Sequence, residues 1–352
     1  MKILYGVPSE GMGHATRSKV VIEHLMNQKH DVQIVTSGRA FSFLQNHFPD
    51  CVHEIEGYHL AYKNAKVSMV KTFFKTLKDA PKKLQINFNQ YKNLLQNFSP
   101  DLVISDFESF THFFAKTQKI PLISIDNIQM LNRCKLEIDI PATEKNNFNL
   151  AKSITKAKVA GASHYFISSF FEAPIMKNNT SFVPPIIRGE ILKSKTSKGN
   201  HVLVYQTSTS QNDLITQLQK VKSEQFLVFG FNKAETHANV QLKKFSESEF
   251  VKLLADAKAV ICNGGYSFIS EAVYLHKPIC SVPIANQFEQ FVNAAYVQKY
   301  GFGRHFNQFT ADSIKAFLFD LTKFESNLNS YQQNGNKKLF AALDNWIAHN
   351  LR

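Results

Sequence analysis

The stretch that most constrains this chain runs from Ala259 to Gly303. Ala259-Val260-Ile261-Cys262 is a short apolar run of strand character, and Asn263-Gly264-Gly265 follows it directly. A helical pattern then covers Ser267 to Leu275, and Lys277 to Pro283 reads as a second short strand bounded by prolines. A strand that runs through two glycines into a helix leaves bare backbone N–H groups, and the positive end of the helix dipole, at the C-terminal edge of a sheet. That edge suits a phosphate. Ser267 and Glu271 are four apart and share a helix face. A carboxylate there repels phosphate but accepts hydrogen bonds from the two hydroxyls of a ribose. Further on, Asn286, Glu289, Gln290 and Asn293 fall at helical spacing, opposite an apolar face of Phe288, Val292, Ala295 and Tyr296. This stripe reads as a solvated helix side, which spacing alone favours, or as amides and a carboxylate aimed at sugar hydroxyls.

Taken together, Gly264-Gly265, Glu271, Pro278, Pro283, Glu289-Gln290, Asn293-Ala294, Gly301 and Gly303 resemble the nucleotide-sugar signature of two-domain GT-B glycosyltransferases. The resemblance is to the branch holding MurG-like enzymes and the UDP-glucuronosyl and glucosyl transferases. Several fixed elements across one segment make it more specific than a lone glycine motif. It implies an α/β fold: two Rossmann-like, doubly wound domains facing a cleft, with a C-terminal helix crossing back to the first. On this chain those are residues 1–189 for the acceptor, 190–336 for the nucleotide sugar, and a returning helix at 337–352.

The N-terminal half supports a parallel sheet on its own pattern. Lys2 to Val7 is a strand, Pro8 to His14 a loop, Ala15 to Gln28 a helix, and Asp31 to Thr36 the next strand. A dinucleotide fingerprint is excluded, because the glycines are Gly6, Gly11 and Gly13 and the second strand closes on Thr36-Ser37-Gly38 rather than on an acid. The loop is similar instead to the Gly-x-Gly-His opening of GT-B first domains, with Gly11 and Gly13 allowing close backbone approach to the reaction centre. Gly-x-Gly-His-Ala-Thr-Arg-Ser is nearest to a poorly characterised MurG-like branch. The resemblance makes His14 the base that removes the acceptor proton. The alternative is a histidine that caps the helix or bonds locally. Asp106, closing the strand Leu102-Val103-Ile104-Ser105, is placed to orient His14 if the two meet. Arg17 is a contact for phosphate or an acidic acceptor, or a partner for a nearby acid. Asn127 and Gln129, after the strand ending at Asp126, are further candidates for the acceptor.

In the second half, Thr207 and Ser208 follow the strand His201–Tyr205, where relatives touch the diphosphate. Phe245, after the strand beginning at Val240, falls where relatives receive the nucleobase.

Charge then narrows the partners. The formal net charge is +13, which favours an anionic partner. Residues 63–92 carry eight lysines interleaved with apolar residues, against Asp79 alone. That tract reads as a helix with a solvated lysine face, or as one that meets anionic lipid. It lacks arginine and glycine, so nucleic acid is not expected. Cys51, Cys134, Cys262 and Cys280 form no Cys-x-x-Cys pair and read as small apolar packing in a reducing compartment. Without a signal sequence at Met1 or a long apolar run, the expectation is a cytoplasmic protein, at the inner face of the membrane if the basic tract docks there.

The expected activity is metal-independent, inverting transfer of a hexosyl group from a nucleoside-diphosphate sugar, with uridine as the base, to a cell-envelope or lipid-linked acceptor. No cofactor and no metal are expected beyond the substrate. Two other readings stay open: a UDP-sugar 2-epimerase of the same fold, and a basic membrane- or polyanion-binding protein with a vestigial nucleotide site.

Overall fold

The computed structural model describes residues 1–9, 11–55, 98–206 and 213–351. The chain divides into two compact units. One holds residues 1–137, 141–186 and 336–352; the other holds 138–140 and 187–335.

The first unit is built on a seven-stranded sheet. Its strands are β1 (Lys2–Gly6), β2 (Asp31–Thr36), β3 (Val52–Glu54), β4 (Leu102–Ser105), β5 (Leu122–Asp126), β6 (His164–Ser168) and β7 (Thr180–Val183). They lie in the order β3-β2-β1-β4-β5-β6-β7, and every pairing is parallel. Parallel strands covered by helices on both faces must be apolar throughout rather than alternating. Accordingly Ile3, Leu4 and Tyr5 of β1, and all four residues of β4, are buried. The chain winds from β1 towards β3 on one side, then returns to lay β4 on the other side of β1. The gap between the ends of β1 and β4 is therefore the switch point of the sheet, where such folds hold ligands.

The second unit repeats the plan with β8 (His201–Tyr205), β9 (Gln225–Phe229), β10 (Glu235–His237), β11 (Val240–Leu242), β12 (Ala259–Cys262), β13 (Ile279–Ser281) and β14 (Gly303–His305). The order is β10-β11-β9-β8-β12-β13-β14, parallel except for the β10–β11 hairpin. Its switch point lies between β8 and β12, so Gln206 and Asn263-Gly264-Gly265 come off neighbouring strand ends. Both units are Rossmann-like.

The C-terminal helix Lys337–Asn350 belongs to the first unit. Leu339, Leu343 and Ile347, on one face, enter the core around Ile3, Val21 and Val183. Burying three such side chains contributes roughly 5–9 kcal/mol before the cost of ordering the helix. His24 fixes its rotation: the ring stacks on Phe340 at 3.9 Å, and Nε2 lies 2.9 Å from Asp344 Oδ1. Among the described residues no helix is long and apolar enough to cross a membrane. The lysine tract 63–92 lies outside the described residues.

Candidate functional site

Each unit places a buried carboxylate at its switch point, and an arginine grips both oxygens. In the first unit the helix Met12–Asn27 starts three residues earlier than the pattern suggested, because Gly11 turns at φ +80° and serves as its N-cap. His14 thus lies inside the first turn. Met12 and Thr16 are four apart on the helix, the Thr16 hydroxyl donates back to the Met12 carbonyl, and Arg17 follows on the inner face.

Asp106, just past β4, donates its N–H to the Gly6 carbonyl at 2.9 Å, which fixes it beside the end of β1. Its carboxylate collects partners from the helix above. Arg17 Nε donates to Oδ2 at 2.9 Å and Nη2 donates to Oδ1; Ser18 Oγ donates to Oδ2 at 2.9 Å. His14 Nδ1 lies 3.1 Å from Oδ1. Asp106 is 1% exposed and His14 17%, so the imidazole is the member of the cluster that reaches solvent. Burial opposes ionisation of Asp106 and is the largest single influence, but Arg17 and His14 together outweigh it and hold the carboxyl well below the usual range. Beside it, burial pushes Asp126 up to about 6, against hydrogen bonds from Ser124 Oγ (2.6 Å) and the Gln129 N–H (2.8 Å).

Of the two readings of Arg17, the structure bears out the partner for a nearby acid: it pairs with Asp106, is 4% exposed, and its Nη1 donates to Asn127 Oδ1 at 2.9 Å. Asn127 and Gln129 are buried as well, the first holding Arg17 and the second closing a turn on Asp126, so neither faces an acceptor. Glu108, a third buried acid, is occupied as the cap of helix Ser109–Gln118, accepting from the Phe110 and Thr111 N–H groups at 2.7 Å each.

In the second unit β12 delivers Asn263 and the two glycines. Gly264 has φ +97°, and a Cβ there would lie 2.9 Å from the Gln290 carbonyl oxygen, so only glycine fits. Gly265, the N-cap of helix Tyr266–Tyr274, has ordinary φ and open space where a side chain would project. Its exposed face is where a ligand can approach the helix N-terminus. One turn along, Glu271 is buried, and Arg188 clamps it: Nε to Oε1 at 2.7 Å and Nη2 to Oε2 at 2.9 Å. Arg188 Nη1 donates to Glu247 at 2.8 Å. Burial pushes Glu271 upward and Arg188 opposes it, while Glu247 and Glu190 add to the rise. Two hydrogen bonds leave each carboxylate oxygen with acceptor capacity. Phe245 is exposed, resting against Phe250 at 5.7 Å.

The polar stripe is not a single helix face. The helix is Phe288–Lys299, and Asn286 sits before it in a turn at φ +68°. Asn293 is buried, its amide donating to the Gly264 carbonyl at 3.0 Å. Gln290 accepts from the Ile284 N–H at 3.0 Å and donates to Gln287 at 2.6 Å. Both amides brace the glycine turn and the loop ahead of the helix. Ser267 and Glu289 are half-buried. Thr207 and Ser208 lie outside the described residues, but Gln206 just before them is buried, and neither of its amide atoms has a partner among the described residues. Arg188 and Gln206 are the site residues sequence reasoning missed. Among the described residues no group of three or more His, Cys, Asp or Glu is arranged to hold a metal ion.

Comparisons with known proteins point one way. The model of a family described as glycosyl transferase family 1 matches residues 1–322. An uncharacterized glycosyltransferase of Methanosarcina acetivorans is 23% identical over 343 residues, covering 89% of this chain and 88% of the relative. A Bacillus cereus UDP-N-acetylglucosamine–N-acetylmuramyl-(pentapeptide) pyrophosphoryl-undecaprenol N-acetylglucosamine transferase is 24% identical over 177 residues, covering 44% of this chain and 50% of the relative. Among solved structures, Phytolacca americana UGT2, complexed with UDP-2-fluoro-glucose and pterostilbene, superposes with a TM-score of 0.66. The identity there is 15%, over 98% of this chain and 99% of that one.

Proposed function

Because the chain belongs to glycosyl transferase family 1 and is a glycosyltransferase of GT-B fold, we propose that it moves a hexosyl group from a uridine-diphosphate sugar to a hydroxyl acceptor, with inversion at the anomeric carbon. The observation that carries this reading is the glycine turn that opens helix Tyr266–Tyr274 with Glu271 one turn behind it. Gly265 leaves the helix N–H groups open to the donor diphosphate, and Glu271 accepts from the ribose hydroxyls through lone pairs Arg188 does not use. Phe245 offers the base an apolar face. The amides stabilise the negative charge that builds on the departing diphosphate, so the reaction proceeds without a divalent ion.

In the first unit His14 is the base. The acceptor oxygen attacks the anomeric carbon as the bond from that carbon to the diphosphate oxygen breaks. The diphosphate leaves with the bonding pair, and the hydroxyl proton passes to His14 Nε2. Asp106 balances the imidazolium that forms. A single displacement inverts configuration.

Water serves as a surrogate acceptor in the test. The protein is incubated with a panel of UDP-hexoses, and proton NMR reads the first-formed products before mutarotation. An α-linked donor is expected to release a β-hexose. A first-formed α-hexose overturns the inverting displacement, and a new UDP-hexose without release shows an epimerase instead.

A further inference from the structure

Arg17 and Asp106 make incompatible demands on one nitrogen. Arg17 Nη2, which can only donate, lies 2.8 Å from His14 Nδ1, while Asp106 Oδ1, ionised and able only to accept, lies 3.1 Å from the same atom. A hydrogen on Nδ1 would satisfy Asp106 but point into the hydrogens of Nη2. A lone pair on Nδ1 would satisfy Arg17 and leave its contact with Oδ1 as two acceptors side by side.

The geometry favours the lone pair. The Arg17 contact is the shorter, at 2.8 Å against 3.1 Å. Nη2 carries two hydrogens, so one can serve Oδ1 while the other serves Nδ1. The guanidinium cannot swing aside, because Nε is held by Oδ2 and Nη1 by Asn127, and the side chain is almost wholly buried. We propose that Arg17 is a positioning residue that sets the tautomer of His14, holding the substrate-free imidazole with its proton on Nε2 and its lone pair on Nδ1.

The catalytic consequence rests on the reading of His14 as the base; the tautomer does not. With its proton on Nε2, His14 presents a donor to the acceptor hydroxyl and cannot take its proton. Arming the base requires Nε2 to release its proton to water and Nδ1 to gain one from water, with no net change in protonation. The imidazole, the exposed member of the cluster, then turns so that Nδ1–H faces Asp106 Oδ1 and draws away from Arg17 Nη2, which stays in place. Arg17 thus separates a resting site from an armed one.

The test is the nitrogen spectrum of the histidine side chains, recorded on uniformly ¹⁵N-labelled protein at a pH of about 8.5, where an ordinary imidazole is neutral. His14→Gln identifies the His14 signals by their loss. Wild-type protein is expected to show Nε2 protonated and Nδ1 not. In Arg17→Lys, which keeps the charge but not the planar fork, the pattern is expected to shift towards protonated Nδ1. A wild-type spectrum with Nδ1 protonated overturns the inference on its own, whether or not the variant folds, and so does a folded Arg17→Lys protein with the wild-type pattern. Neither result touches the base assignment, which fails separately if His14→Gln keeps its turnover.

Discussion

The two switch points carry the same device to different ends. Asp106 and Glu271 are both buried, the one just past the end of a parallel strand and the other in the helix that follows one, and both are gripped on two oxygens by one arginine. Yet Asp106 is held well below the ordinary carboxyl range, while Glu271 is shifted upward, chiefly by burial. The difference lies in the company. Asp106 has Arg17, His14 and the Ser18 hydroxyl around it. Glu271 has Arg188, but Arg188 is shared with Glu247, and Glu190 adds a further like charge. A carboxylate bound from every side becomes a fixed charge for orienting a base. One with a shared partner and spare lone pairs is suited to taking a ligand.

The comparison can be broken by charge deletion. Asp106→Ala leaves Arg17 buried without its carboxylate and is expected to cost about 3–5 kcal/mol in urea unfolding. Arg188 keeps Glu247 when Glu271 is removed, so Glu271→Ala should cost visibly less. Equal losses would contradict the difference drawn between the two pairs.

A titration sharpens it. Burial pushes Asp126, beside Asp106, up to about 6 from an ordinary aspartate's 3.8. Between these values the folded state binds the proton more tightly, so the contribution of Asp126 is largest below pH ~4 and is lost as pH rises through ~6. The loss is on the order of 3 kcal/mol. Asp106, depressed, contributes in the opposite sense, and its part fades only as pH falls below the ordinary carboxyl range. Urea unfolding of wild type and Asp126→Asn at pH ~4 and ~7 separates the two: wild type should lose ground to the variant at the higher pH. A pH-independent difference would show that Asp126 does not titrate in this window.

The two glycines provide a smaller contrast. Gly264→Ala forces a side chain into positive φ and against the Gln290 carbonyl, and should destabilise by at least ~1 kcal/mol. Gly265→Ala meets no neighbour, so its melting temperature should stay near wild type while UDP affinity falls. If Gly265→Ala binds UDP as well as wild type, the diphosphate does not approach that turn.

Much of the architecture was legible because fully buried parallel strands must be continuously apolar, as Ile3-Leu4-Tyr5 and Ala259-Val260-Ile261-Cys262 are. The pairing of His14 with Asp106 was readable only as a possibility, since 92 positions separate them and only the winding order makes their strands neighbours. Helical spacing marked Gln290 and Asn293 as polar, but spacing cannot tell an amide facing substrate from one bracing the glycine turn behind it. Arg188 gave no signal, because nothing in a Pro-Pro-Ile-Ile-Arg-Gly run says which acid the arginine will meet. For Arg17 the sequence left two readings open, an anion outside or an acid nearby, and only the winding of the chain shows that the acid is Asp106.

Calorimetric titration of UDP into wild type and Glu271→Gln tests the donor assignment most directly. Glutamine keeps the shape and one acceptor oxygen but loses the charge and the paired acceptors. Wild type should bind UDP, and the variant should bind it at least about tenfold more weakly, ~1.4 kcal/mol, with its melting temperature little changed. Equal affinity in a folded Glu271→Gln protein would contradict the assignment of this carboxylate to the ribose.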